Sequence, residues 1–258
     1  MKASKYEAAM KSVIGTREEQ QDYGYYKVDN QRVVALVCDG MGGLDSGTIA
    51  STVATNKFKE LYEHKNPAQA IPEFLLNSVD ILDEYVFHLK DEEGKKLAAG
   101  TTLVAAIIEN DSLFWLSVGD SRLYILRGNE FVQVTRDHNY FLKLNQMLKE
   151  DAINQEQYSA EAKKGEALIS FIGLGGIDVM DINNTPFKLL HGDIILLSSD
   201  GLYKALSDDE IALCLQKADI ENSLEALISK ASDKAKMSQD NTTCIIIKYE
   251  AGRGSDET

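Results

Sequence analysis

Four aspartates stand where the chain leaves its most apolar runs. Asp39-Gly40 closes VVALVC, Gly119-Asp120 follows LFWLSV, Asp200-Gly201 follows IILLSS, and Asp240-Asn241 precedes TTCIIIKY. A buried strand delivers its last side chain to an edge of its sheet, so aspartates at several strand ends can meet at one edge. Carboxylates gathered in a half-buried place repel one another unless a cation neutralises them. Oxygen donors without His or Cys partners suit Mg2+ or Mn2+ rather than Zn2+. Asp-Gly is also ordinary turn chemistry, and any single junction taken alone reads as a turn. Four such junctions on the four most hydrophobic runs are what raise the metal reading above it.

The elements that would position these residues follow from periodicity. Residues 6–14, 22–28 and 33–39 alternate as strands, the last two joined by a turn around Asp29 and Asn30. Residues 47–64 place Ile49, Val53, Phe58 and Leu61 on one helical face, and residues 68–90 do the same with Ile71, Leu75, Val79, Leu82, Val86 and Leu89. The runs 101–108, 113–118 and 123–126 predict an antiparallel meander. Residues 139–176 are polar and partly helical and end in GLGG, which predicts a small flap over the sheet. Strands are expected near 179–183 and 193–199. A helix opened by a capping box of Ser207 and Glu210 follows, then a helix over 223–236 and a last strand over 242–249. Strands grouped before and after helix pairs predict an α+β fold with antiparallel sheets covered by helices.

Length and composition narrow the rest. The 258 residues contain 44% hydrophobic residues, 3 Pro and 18 Gly, the profile of one domain over residues 1–250 with a frayed tail at 251–258. Three Cys without a CxxC pair argue against a disulfide scaffold and against structural zinc, and favour a reducing, cytoplasmic setting. Cys38, Cys214 and Cys244 lie in apolar runs and read as small core residues. No run is long and apolar enough for a membrane span, and the first ten residues have no apolar signal core. With 27 Lys+Arg against 41 Asp+Glu the net charge is −14, which excludes nucleic acid as a general partner and gives most carboxylates the plain role of a solvated surface.

The segments TREEQQDYG, VCDGMGG, AAGTTLV, VGDSRLY, VTRDHN, LLSSDGLY and SQDNTT occur in this order over nearly the whole chain. In that order and spacing the chain resembles the metal-dependent protein phosphatases of type 2C, and its DGMGG form and short length are similar to the bacterial branch. The resemblance implies two antiparallel sheets in a sandwich flanked by helices, α-β-β-α, with a flap at about 139–176. It implies hydrolysis of phosphoserine and phosphothreonine on proteins by a water that two divalent ions activate, with two or three Mg2+ or Mn2+ bound. Residue by residue, it implies that Asp39 bridges two ions and Gly40 offers a backbone carbonyl. Asp200 and Asp240 would complete the first ion's ligands, Asp22 would hold metal-bound waters, and Asp120 would serve a third ion with Asp200. Arg17 would grip the substrate phosphate, for which a planar guanidinium is suited. The partners implied are phosphoprotein substrates, a Ser/Thr kinase among them, acting on a monomer.

Two departures from the family pattern stand out. Gln20 and Gln21 precede Asp22 where the family usually carries Asn and an acidic or amide residue. Met41 takes the place of a histidine found inside this motif in animal relatives, so the leaving-group acid is unassigned. His64, His88, His138 and His191 show no ligand spacing and read as structural or exposed, with His138 orienting a loop. GLGG neither follows a clear strand nor opens a clear helix and is not read as a nucleotide loop. The competing functional classes are a catalytically silent binding module, which intact Asp39, Asp200 and Asp240 disfavour, and a phosphatase dedicated to one regulatory partner, for which no accessory domain is visible.

Overall fold

The computed structural model describes residues 5–251 apart from 30, 44, 218 and 236, so Asn30 and the expected tail from 252 onward lie outside the described residues. In chain order the elements are β1 (Tyr6–Val13), β2 (Asp22–Val28), β3 (Arg32–Gly42), α1 (Ser46–Glu63), α2 (Ile71–Phe87), β4 (Ala99–Thr101), β5 (Leu103–Glu109), β6 (Ser112–Val118), β7 (Arg122–Arg127), β8 (Glu130–Gln133), α3 (Tyr140–Lys149), α4 (Gln155–Glu161), β9 (Asp181–Ile182), β10 (Phe187–Lys188), β11 (Ile194–Ser198), α5 (Asp200–Tyr203), α6 (Asp208–Leu215), α7 (Ile220–Ala235) and β12 (Thr242–Tyr249).

Two sheets form, one ordered β1-β12-β11-β7-β8 and the other β10-β6-β5-β3-β2, with β4 beside β3 and β9 beside β6. Strand β3 shows why they stack. Its odd residues Val33, Ala35 and Val37 join Ile108, Leu123, Ile195 and Ile247 between the sheets, while its even residues Val34, Leu36 and Cys38 face α1 and α2. A strand buried on both faces reads as a continuous apolar run, as VVALVC does. On the outer face of the second sheet Phe58, Leu75 and Leu82 pack onto Leu36 and Leu103. On the outer face of the first sheet Ile211, Leu224 and Leu227 of α6 and α7 pack onto Tyr124, Leu196 and Ile246. The result is the expected α+β sandwich with layers α-β-β-α.

Several local expectations change. The three runs after residue 100 are not a meander: β5 pairs with β6, but β7 pairs with β11 and β8 in the other sheet. The chain crosses between sheets at Gly119, whose φ of +100° puts it in the left-handed region and whose Cβ would come within 2.7 Å of Thr102. Periodicity identifies strands without saying which sheet they join. Thr102 interrupts the run 101–108, leaving β4 and β5 as separate strands. Ile49 is solvent-exposed rather than on the packed face of α1. The short elements β8, β10 and α5 carry too few residues to show a period. The Glu210 carboxylate does close the box on α6, accepting from the Ser207 backbone N–H at 3.0 Å.

Phe58 is fully buried and meets the Phe74 ring edge-on at 5.8 Å between centroids. Truncation of such a side chain leaves a cavity as well as lost burial, so Phe58→Ala should lower unfolding free energy by about 3–5 kcal/mol, read by urea denaturation. A loss below about 1 kcal/mol would contradict the packing of α1 and α2 on β3.

Candidate active site

The β2–β3 hairpin sets Asp22 directly opposite Asp39, so the two side chains leave the same face at the end of the second sheet. Asp200 opens α5 immediately after β11, and Asp240 immediately precedes β12, its neighbour in the first sheet. A side chain joins the two ends. The Ser199 hydroxyl donates to Asp22 Oδ2 at 2.6 Å and accepts from the Thr243 backbone N–H at 2.9 Å. Asp120 arrives from the Gly119 crossover, where the Thr102 and Ser121 hydroxyls meet at 2.6 Å and Thr102 accepts from the Asp39 N–H at 3.0 Å. All five aspartates named from the sequence therefore reach one edge.

Their mutual charge shows in their acidities. Burial, opposed by the Ser199 hydrogen bond and reinforced by the charges of Asp200 and Asp240, pushes Asp22 up to about 7. Desolvation, then the charges of Asp22, Asp200, Asp120 and Asp240, holds Asp39 well above the usual carboxylate range. Burial and Asp200 push Asp120 up to about 6, with Lys204 pulling the other way. Two cations meet this acidic group: Arg17 donates to Asp240 Oδ2 at 2.6 Å, and Lys204 donates to Asp200 Oδ2 at 2.5 Å. Asp22 Oδ1 is buried with no hydrogen-bond partner.

Among the described residues no three His, Cys, Asp or Glu side chains meet closely enough to form a ready-made cation cage. Asp240 and Asp200 are turned instead to Arg17 and Lys204. The donor set nevertheless fits a divalent cation in kind: oxygen ligands only, a buried carboxylate oxygen left without a partner, and carboxylates whose raised pKa values mark uncompensated charge. At Gly40 a Cβ would lie 2.1 Å from the Gly47 carbonyl, so the strand carrying Asp39 approaches the start of α1 only because residue 40 has no side chain.

The loop that bears Arg17 is clipped to the turn that bears Asp240. Asn241 Oδ1 accepts from the Gln21 N–H at 2.7 Å, and its Nδ2 donates to the Ile14 and Glu19 carbonyls at 2.8 and 2.9 Å. The Thr16 N–H donates to the Gln239 carbonyl at 2.9 Å. Gln20 fills the place of the shorter family residue by accepting from the Asp22 N–H at 3.1 Å and donating to Ser12 at 3.0 Å. Sequence reasoning missed Ser199, Asn241 and Lys204, although the first two lie inside quoted motifs and Lys204 is four residues after Asp200, an i,i+4 pair once α5 is known.

His138 does orient a loop: its N–H donates to the Gly119 carbonyl at 2.9 Å and its Nδ1 accepts from the Gly119 N–H at 3.1 Å. His64, His88 and His191 are exposed. Arg122, two residues after Asp120, forks onto Asp137 at 2.9 and 2.6 Å. The three cysteines are buried and free, as expected.

This architecture recurs in known proteins. The family profile of protein phosphatase 2C matches residues 11–240. A serine/threonine phosphatase stp of Listeria welshimeri is 29% identical over 241 residues, which cover 90% of this chain and 91% of that one. The Streptococcus agalactiae serine/threonine phosphatase superposes with a TM-score of 0.81 at 25% identity, covering 95% of this chain and 100% of that one. The catalytic domain of the serine threonine protein phosphatase PstP in complex with 2 manganese ions superposes with a TM-score of 0.71 at 24% identity, over 95% of this chain and 99% of that one. With the profile spanning most of the sequence and the same sandwich carrying the aspartates at one edge, the chain belongs to the protein phosphatase 2C family.

Proposed function

We propose that the protein hydrolyses phosphoserine and phosphothreonine on other proteins, opposing a Ser/Thr kinase, with two or three Mg2+ or Mn2+ ions bound at the aspartate edge. The observation that carries this reading is the convergence of Asp22, Asp39, Asp120, Asp200 and Asp240, in which burial and then neighbouring carboxylate charge push the pKa values of Asp22, Asp39 and Asp120 up. The names of the Listeria and Streptococcus relatives and the manganese held by PstP support it. Asp39, the Gly40 carbonyl, Asp200 and Asp240 would hold the tighter ions, and Asp120 with Asp200 a looser one. Bound ions would supply Lewis acidity, neutralising the phosphoryl oxygens and making a water acidic enough to attack at neutral pH.

The chain's own groups do the rest. Asp22, fixed by Ser199, presents its free Oδ1 as an acceptor that can orient a water. Arg17, more than half exposed and already at this edge through Asp240, offers its planar fork to two phosphate oxygens. No protein nucleophile is required, and burial pushes the Cys38 thiol up to about 12, too high to serve as one. Residues 139–176 stand as the proposed flap, and its helix α3 lines a cavity of about 540 Å³ beside Asp120, Tyr203 and Lys204. No helix among the described residues is long and apolar enough to cross a membrane.

The purified protein should hydrolyse a phosphothreonine peptide in Mn2+ or Mg2+ and stop in excess chelator; undiminished turnover in chelator would refute ion-assisted hydrolysis. Two variants separate the assigned roles. Arg17→Ala should raise KM about tenfold or more without weakening calorimetric Mn2+ binding. Asp120→Ala should keep the tight binding and lower kcat, with a changed dependence of rate on cation concentration. Lost tight binding in Arg17→Ala, or parental kinetics in Asp120→Ala, would reassign that residue.

A further inference from the structure

The GLGG run of residues 173–176 forms a concave ring of backbone N–H groups, and the molecule fills it itself. The Asp83 carboxylate on α2 accepts from Gly173 at 2.7 Å, Gly175 at 3.1 Å and Gly176 at 2.7 Å. An anion from outside has no place there. The anchor instead fixes the wall made by Phe171, Ile172 and Gly173. Ile172 exchanges both backbone hydrogen bonds with Thr101 at 2.8 and 3.0 Å, and the Phe171 ring lies where a Cβ on Gly100 would stand, 2.6 Å away. Gly173, at φ +101°, lets the loop approach the Ala99 carbonyl within 2.9 Å of where its own Cβ would be.

This wall, the Leu97–Ala99 segment and Met41 enclose an open cavity of about 490 Å³ whose lining is mostly apolar. Its floor is the ribbon that carries the aspartate edge. Gly40, Met41 and Gly42 of β3 pair with Thr101, Gly100 and Ala99 of β4, and the Asp39 carbonyl accepts from the Thr102 N–H at 2.8 Å. Side chains two apart on a strand share a face, about 7 Å apart along the chain, so Met41 lies on the Asp39 side. A side chain one or two residues from a group seated at Asp39 therefore reaches the cavity, and methionine's unbranched thioether adapts to varied apolar shapes.

We propose that this cavity is a specificity subsite that takes an aliphatic or aromatic side chain of the substrate, within two residues of its phosphorylated residue. The inference rests on the phosphatase reading and deepens it: phosphate is held at the aspartate edge, and sequence preference comes from the Met41–Phe171 cavity.

The test uses the full chain in Mn2+ with p-nitrophenyl phosphate, which carries no flanking residue, and with phosphothreonine peptides in which leucine is scanned from two residues before to two after the phosphoresidue. One position should raise kcat/KM about tenfold over alanine, mainly through KM. Phe171→Ala and Leu97→Glu should abolish that preference while p-nitrophenyl phosphate turnover stays within about twofold of the parent. If Phe171→Ala loses turnover of both substrates through misfolding, Leu97→Glu, at a half-buried position on the cavity rim, decides. Equal kcat/KM at every scanned position, or a preference that survives in Leu97→Glu, overturns the subsite. A parent inactive on both substrate classes overturns the phosphatase reading and the subsite with it.

Discussion

Repulsion among carboxylates is the constraint around which the molecule is organised. Five aspartates sit at one edge of a sandwich where burial and one another's charge raise the pKa values of three of them, Asp22, Asp39 and Asp120. Such an arrangement is unfavourable in itself and persists only because the surrounding structure over-determines it. Three apolar layers supply that determination, since β3, β11 and β12, which carry or adjoin Asp39, Asp200 and Asp240, are buried along nearly their whole length. A cation is the natural complement of the charge so assembled, and Arg17 and Lys204 meet part of it.

Small polar groups convert the sandwich into a positioned site. Ser199 links the two sheets through Asp22 and Thr243, Thr102 links Asp39 to the Gly119 crossover through Ser121, and Asn241 ties the Arg17 loop to the Asp240 turn. Each works through hydrogen bonds whose partners are otherwise shielded from water, where an unpaired group costs more than the bond contributes. Glycines make the close approaches possible at Gly40 and Gly119. The GLGG loop follows the same logic with the opposite outcome: its anion-binding geometry is satisfied by Asp83 and serves as scaffold.

Much of this was legible in the sequence, for stated reasons. The apolar runs fixed the long strands, and a terminal aspartate on several of them pointed to one edge, because period two and strand ends are local properties. The two helices 47–64 and 68–90 were legible from their 3.6-residue spacing, with Ile49 the exception because one apolar residue on a helix can face solvent without penalty. What remained hidden depends on distant pairing. Nothing local told β6 and β7 that they join different sheets, and nothing local paired Ser199 with Asp22, 177 residues away. Arg122 stands two residues after Asp120 in the sequence and turns to Asp137, since the fork of a guanidinium goes where two carboxylate oxygens are presented together.

On the proposed function, the Asp39 edge is strained by its own charge and would be relieved by a divalent cation. Its pKa is raised on folding, so the neutral form's contribution to stability is present below the unfolded carboxylate range and lost as pH rises through the folded value. Thermal unfolding of the parent and of Asp39→Asn, in chelator and in saturating Mn2+, tests this most directly. In chelator Asp39→Asn should unfold at a higher temperature than the parent at pH 8, with the gap closing toward pH 5. In Mn2+ at a hundred times its Kd, the parent at pH 8 should gain about 2.7 kcal/mol, or several degrees, and Asp39→Asn much less, so the order reverses. A parent more stable than Asp39→Asn in chelator at pH 8, or an equal gain in Mn2+ for both proteins, would contradict it.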